Sequence, residues 1–318
     1  MKVLGVSFGR KNKNCDILVK QALFAAQEAG AEVKFINTMN MKISHCTGCG
    51  ACSKLRDQGK QIKCVAIKDD YLELENEILN ADGIIVGAPV YSIAPTGQLK
   101  NYIDRFGAAH DRAAALAEQE KRIKAGAEEL LDPRVFADKY VAYISVGGAK
   151  TQDWVSMGLP NMHMFGMSTV MKTVGQIDAY NMGTTVNPVL DDELMENTAK
   201  LGKHLADSIG KPYDQVTWLG EEGVCPVCHN SIITVGKTTD VQCPLCGING
   251  KLSIEDGEVK VTFSEKEKNR ARNTLEGLTE HYHEIQGFVK GILPKIEANK
   301  EKIETGMKRI ERFESTYE

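Results

Sequence analysis

Eight of the nine cysteines in this 318-residue chain fall into two groups at the spacing that metal ligands use. Cys225, Cys228, Cys243 and Cys246 form C-x2-C, fourteen residues, C-x2-C within VCPVCHNSIITVGKTTDVQCPLCG. Two such turns joined by a short hairpin bring four thiolates to the corners of a tetrahedron, the arrangement of a closed zinc site. Iron in a rubredoxin-like site is the alternative for the same four sulfurs. In the other group Cys46, Cys49 and Cys52 recur at every third residue, and Cys64 follows after eleven intervening residues. Three thiolates so spaced reach three irons of a [4Fe–4S] cubane, and Cys64 offers the fourth ligand. A reduced, thiol-bearing loop is the other reading of that stretch. Cys15 stands apart from both groups.

The bulk properties narrow the use of these thiols. Hydrophobic residues make up 42% and charged residues 26%, the balance of a globular protein. The N-terminal apolar run is too short for a signal peptide, and no run is long enough to cross a membrane. A cytoplasmic location is therefore expected, where cysteines stay reduced and serve metals or redox chemistry more readily than disulfides. A net charge of -4 and a pI near 6.0 exclude a general attraction to nucleic acid or anionic lipid. The four-cysteine stretch agrees: residues 221–263 hold six acidic residues against three lysines, which no phosphate-binding surface would.

The elements that must position these groups alternate between strand and helix. KVLGVSF (2–8), EVKFI (32–36), GIIVGAPVY (83–91), KYVAYISVGG (139–148) and MKTVGQIDAY (171–180) read as strands. Helical spacing follows in CDILVKQALFAAQEAGA, DDYLELENEILNAD (69–82), GQLKNYIDRF (97–106) and DDELMENTAKLGKHLADSIG (191–210), with a helical insertion at about 108–134. The pattern predicts an α/β fold with a doubly wound, five-stranded parallel sheet over residues 1–212. A small β module at 221–263 and a charge-rich helical segment at 264–318, interrupted by Pro294, complete the expected organisation. In that last segment Leu275, Leu278, Tyr282, Ile285, Phe288, Val289 and Ile292 make an apolar stripe suited to packing on the module or another subunit.

In doubly wound sheets ligands sit beyond the carboxyl ends of the strands, which selects SFGRKNKN, APVYSIAPTG and SVGGAK as functional loops. SFGRKNKNC turns from the first strand into the first helix, whose free amides and dipole favour a phosphate. Neither GxGxxG nor GxxxxGK[ST] occurs, so a single phosphate such as that of FMN fits better than a diphosphate. GVSFG (5–9) also matches a hydrolase nucleophile elbow, but it follows the first strand and no HGGG run accompanies it.

Taken together, Ser7-x-x-Arg10-x-x-x-Asn14, Cys46/Cys49/Cys52, CVAIKDD, Pro89-Val90-Tyr91, Lys100 and Asp104-Arg105 resemble the NADPH-dependent FMN reductases of flavodoxin-like fold, including their iron–sulfur flavoprotein branch. The resemblance covers about residues 1–210. It implies that Ser7, Arg10, Asn12 and Asn14 hold the FMN phosphate, with Cys15 where relatives carry Thr or Ser. A thiol at that helix start is expected to have a lowered pKa. It also implies that Pro89, Val90, Tyr91 and Ser92, with Ser145, Val146, Gly147 and Gly148, line the isoalloxazine. The eleven-residue gap before Cys64 is longer than in the compact cysteine motif of the iron–sulfur branch. The expected activity is electron transfer from NAD(P)H or a reduced carrier, through FMN, to a small unsaturated, quinone-like or nitro-type acceptor. The alternative is an electron carrier between redox partner proteins. A homo-oligomer, dimer or tetramer, is expected.

Overall fold

The computed structural model describes residues 1–313; residues 314–318 of the expected C-terminal segment and the side chain of Val289 lie outside the described residues. In chain order the first part holds β1 (Lys2–Ser7), α1 (Asn14–Glu28), β2 (Glu32–Asn37), α2 (Ala51–Asp57), α3 (Tyr71–Asn80), β3 (Gly83–Tyr91) and β4 (Ala94–Pro95). There follow α4 (Gly97–His110), α5 (Arg112–Lys124), β5 (Tyr140–Val146), α6 (Gly158–Met162), α7 (Met164–Met167), β6 (Lys172–Ala179), α8 (Met182–Thr185) and α9 (Asp192–Ser208). The remainder is β7 (Thr234–Val235), β8 (Asp240–Gln242), β9 (Asn249–Glu255), β10 (Glu258–Phe263), α10 (Glu265–Asn269), α11 (Leu275–Ala298) and α12 (Lys300–Ile310).

The main sheet runs β2-β1-β3-β5-β6, all parallel, with β4 folded back antiparallel on the tip of β3. With β4 set aside this is the 2-1-3-4-5 order of flavodoxin-like folds, whose switch point lies between β1 and β3. β3 and β5 are buried through most of their length, which explains their nearly unbroken apolar sequences.

Helices cover both faces. On one, α1 and α9 bury Leu18, Val19, Leu201 and Leu205 against Ile85 and Ile144. Gly202 makes this approach possible: a Cβ there would stand 1.8 Å from the carbonyl oxygen of Ala22. On the other face Tyr71, Tyr102, Phe106 and Phe165 form a chain of rings with centroids 5.2–5.5 Å apart. Each such buried ring contributes on the order of 2–3 kcal/mol of transfer free energy.

Two local expectations change. The insertion is less helical than its composition suggests: α4 continues to His110, Asp111 caps α5 by accepting from the Ala114 amide at 2.9 Å, and residues 125–132 are irregular. Pro294 does not interrupt its helix. α11 runs through it to Ala298, because a proline removes one backbone donor and the turns on either side can persist.

The chain divides into two compact units, Met1–Leu278 and Thr279–Glu318. The second sheet, β10-β9-β8-β7, is antiparallel and belongs with the four cysteines beside it to the first unit. There Met164 and Met167 of α7 pack against the cysteine cluster. Among the described residues no helix is long and apolar enough to cross a membrane.

Candidate flavin and metal sites

The loop after β1 is built around a carboxylate that the sequence reading did not single out. Asp16, in the first turn of α1, is fully buried. It accepts from Ser7 Oγ at 2.5 Å, from Asn37 Nδ2 at 2.6 Å and from the Asn12 backbone N–H at 2.7 Å. Asn37 Nδ2 also donates to the carbonyl of Gly9 at 3.0 Å. Two of these bonds, at Gly9 and Asn12, thus tie residues 8–13 to the Asp16–Asn37 pair. The available signal was an acid in the first helical turn, directly after a glycine- and asparagine-containing loop.

The expected phosphate ligands separate into two layers. Ser7 is buried and its hydroxyl is engaged with Asp16, so it supports the loop from beneath. Arg10 and Asn12 are exposed with Lys11 and Lys13, and Asn14 is half-buried at the helix start. The first amides of α1 have no intrahelical partner. Three cations around those amides suit an anion, which is the fit an FMN phosphate requires.

Cys15 lies in the lower layer. It is buried against β3, and burial pushes its thiol up to about 12. The expectation of a lowered pKa is therefore corrected: desolvation of the thiolate outweighs the helix start.

The other two loops rise from the neighbouring strands. At the end of β3, Pro89 is buried while Tyr91 and Ser92 are exposed. Ser92 and Ile93 turn the chain with φ of 50° and 74°, and Val90 and Tyr91 pair with Pro95 and Ala94. A β-branched residue at positive φ is costly, and such strain is found preferentially at ligand loops. At the end of β5, Ser145 and Val146 are buried, Gly147 donates to the Ala179 carbonyl at 2.9 Å, and Gly148 is exposed. The phosphate-type loop and the two expected ring-lining segments therefore stand at the carboxyl ends of three adjacent strands, β1, β3 and β5.

The four C-terminal cysteines are brought together and buried, all four sulfurs lying within 4.8 Å of one another. Cys228 and Cys243 stand 3.6 Å apart, and Cys225 and Cys246 3.9 Å. A single ion with four sulfurs at ~2.3 Å separates neighbours by about 3.8 Å, so the set fits one tetrahedral metal. Proton sharing with Cys225 raises the Cys228 and Cys246 thiols, so four thiolates coexist at this spacing only around a cation. The two turns match: His229 donates to the Cys225 carbonyl as Gly247 donates to that of Cys243, at 2.9 and 2.8 Å. His229 is not a ligand. Its ring stacks on Trp218 at 3.7 Å and 8°, with Nδ1 3.2 Å from the Glu222 carbonyl.

The other cysteine group is laid out differently. Cys49 is exposed, and Cys46, Cys52 and Cys64 are half-buried. Among the described residues this group does not reach single-ion spacing. A cubane places its ligands on different irons and needs a wider set, so the group remains compatible with one. Cys64 is the anchored member: its sulfur accepts from Arg105 Nε at 3.1 Å. Arg105 also donates to Asp69 Oδ2 at 2.7 Å and to the Ser44 carbonyl at 3.2 Å, and both side chains of the ion pair are inaccessible. Burial still raises the Cys64 thiol despite this partner. At Cys49 the Ala51 backbone N–H and the Thr47 hydroxyl lower it.

A flavodoxin-like sheet whose first loop suits an anion, with an appended four-thiolate site, has the architecture of a flavoprotein with a metal module. Residues 1–180 match the NADPH-dependent FMN reductase family, and the chain belongs to it. Flavone synthase cfoJ of Aspergillus candidus is 29% identical over 90% of this chain and 89% of its own. An iron-sulfur flavoprotein of Methanosarcina thermophila is 31% identical over 65% of this chain and 94% of its own. A solved structure described as flavone reductase covers 100% of both chains with a TM-score of 0.84 at 27% identity. The protein is an FMN oxidoreductase.

Proposed function

We propose that this oxidoreductase takes electrons from NAD(P)H and passes them through FMN to a planar, conjugated carbonyl compound of the flavone type. The observation that carries the reading is the convergence of three loops from β1, β3 and β5, the first of them locked by Asp16 beneath a rim of Arg10, Lys11 and Lys13. Bound FMN supplies the two-electron chemistry. Arg10, Asn12 and Asn14 hold the phosphate, and the Asp16 network keeps the loop from rearranging on binding. Pro89–Ser92 and Ser145–Gly148 orient the ring, and the buried ends of β3 and β5 keep water from its inner side. The flavone-type acceptor is supported by the names of the two relatives that cover most of the chain.

The test is an anaerobic titration of the purified yellow protein. NADPH or NADH should bleach the flavin, and a flavone should restore its colour with stoichiometric loss of the flavone's absorbance. Bleaching without reoxidation by any conjugated carbonyl compound would reject the acceptor class; no bleaching would reject the donor.

The Arg105–Cys64 contact favours a second role for the same chain. A buried guanidinium fixed on one sulfur is a starting point for a [4Fe–4S] cluster at Cys46, Cys49, Cys52 and Cys64. Such a cluster would let the enzyme exchange single electrons with a redox partner protein. Four additional irons and sulfides in anaerobic preparations are expected. Their absence after reconstitution with iron and sulfide would leave this stretch a thiol-bearing loop.

A further inference from the structure

A cavity of about 610 Å³ lies at the β6 edge of the main sheet, separate from the rim of the phosphate loop. That volume falls within the ~300–1,000 Å³ of pockets that enclose drug-sized ligands. Its floor is Gln176 and Asp178 of β6, and one side is Leu159 and Pro160 of α6. The opposite wall comes from the linker at Leu219–Glu221 and from residues 229–232, which directly follow the metal ligand Cys228. Leu219 is held on the strand edge by its own amide to the Val174 carbonyl at 2.9 Å and by Gln176 N–H to its carbonyl at 3.2 Å. The metal module therefore closes one side of a pocket whose other side is the flavin-type sheet.

The cavity adjoins the segment read as flavin-lining. Asp178 pairs in register with Ser145, and the Ala179 carbonyl, between cavity residues Asp178 and Tyr180, accepts from Gly147. A molecule filling the cavity would thus reach the edge of residues 145–148. We propose that this cavity holds the acceptor, and that the acceptor is a neutral, planar aromatic carbonyl compound bearing phenolic hydroxyls. The inference rests on the oxidoreductase reading above and adds the place and the class of the second substrate.

The lining decides the class. Asp153, Asp178 and Glu221 contribute three carboxylates against the single ammonium of Lys200, which is already paired with Glu196 at 2.7 Å. An anion such as a nucleotide phosphate is disfavoured there, so the nicotinamide donor is not the occupant. Hydroxyl donors are favoured, and Asp178 already accepts from Gln152 Nε2 at 3.3 Å on one oxygen. His163 is buried, and its Nε2 is already engaged with Gln176 Oε1 at 2.7 Å. Flat walls come from Tyr180 and from the His229 ring stacked on Trp218. His229 takes φ 55° where the matching turn has Gly247 at 72°, so an imidazole stands in the wall at a position where glycine costs least.

The test measures binding directly, by equilibrium dialysis of the metal-loaded full chain with apigenin, a hydroxylated flavone, and with unsubstituted flavone. Ile232→Trp places a large ring inside the cavity wall and should weaken apigenin binding at least tenfold. Val235→Trp, on the exposed β7 of the same module, controls for damage to the module and should bind apigenin as the parent does. Asp178→Asn preserves shape and should erase most of the preference for apigenin over flavone. Unaltered apigenin affinity in Ile232→Trp, or equal loss in Val235→Trp, would overturn the inference. FMN content, read from the spectrum of the same samples, tests the oxidoreductase reading separately, because dialysis does not depend on turnover.

Discussion

The two cysteine groups have similar ligand spacing and opposite surroundings. Cys225, Cys228, Cys243 and Cys246 are each nearly inaccessible, at 0–2%, and hydrogen bonds fold both of their turns around one point. In the 46–64 group one sulfur is anchored by Arg105 while Cys49 is exposed in the loop just before the short helix α2. The difference teaches that a C-x2-C repeat supplies ligands, whereas the hydrogen bonds around each turn decide whether they form a site in advance. The C-terminal set is organised for one ion. The N-terminal set is organised at one corner and has to gather the rest.

Metal removal gives the largest expected contrast. Stripping the C-terminal site should unfold residues 221–263 locally, since binding free energy there, on the order of 10 kcal/mol or more, is folding free energy. Limited proteolysis with and without chelator reads this out, and Cys243→Ser should reproduce it. Cys49→Ser should leave the melting temperature unchanged. Equal sensitivity in the two regions would break the comparison.

Arg105→Met should cost about 3–5 kcal/mol in urea unfolding, because it leaves the inaccessible Asp69 carboxylate without its cation. It should also free Cys64 to alkylating reagents. A stable variant with Cys64 still protected would mean that the corner is held by something other than this ion pair.

A buried lysine remote from both groups calibrates global stability. Burial pulls Lys139 down from 10.5 to about 8, while Nζ donates to the carbonyls of Leu79 at 2.8 Å and Ala81 at 2.6 Å. Between those pH values the unfolded chain keeps a proton that the folded chain has released. Stability relative to Lys139→Met should therefore rise with pH across the window, by about 3 kcal/mol in full. A difference that is flat or falls between pH 8 and 10 would contradict the burial of this charge.

Arg10→Ala should weaken FMN binding roughly ten- to hundredfold, the worth of a hydrogen bond to a charged group. Isothermal titration with FMN measures it, and an unchanged affinity would remove Arg10 from the phosphate rim. The smallest effect is a rate order. Among the cysteines outside the four-thiolate site, Cys49, exposed and lowered, should alkylate first at neutral pH, and Cys15, raised to about 12 by burial, last.

The sheet and the four-thiolate site were legible from local pattern. Unbroken apolar runs such as GIIVGAPVY mark strands buried on both faces, and C-x2-C turns carry their own geometry. The loops at the carboxyl ends of β1, β3 and β5 followed from strand–helix alternation alone. What the linear sequence could not display were contacts between distant segments. Asn37 reaches Asp16 across 21 positions, Arg105 reaches Cys64 across 41, and the cavity joins β6 to residues 229–232. Asp16 reads as an ordinary acid in a first helical turn until the fold buries it, and Arg105, although part of the Asp104-Arg105 motif, shows its hold on Cys64 and Asp69 only in the fold. The pKa of Cys15 turned on the same point: a helix start is visible in sequence, but the strand packed over the thiol, which desolvates it, is a property of the tertiary structure alone.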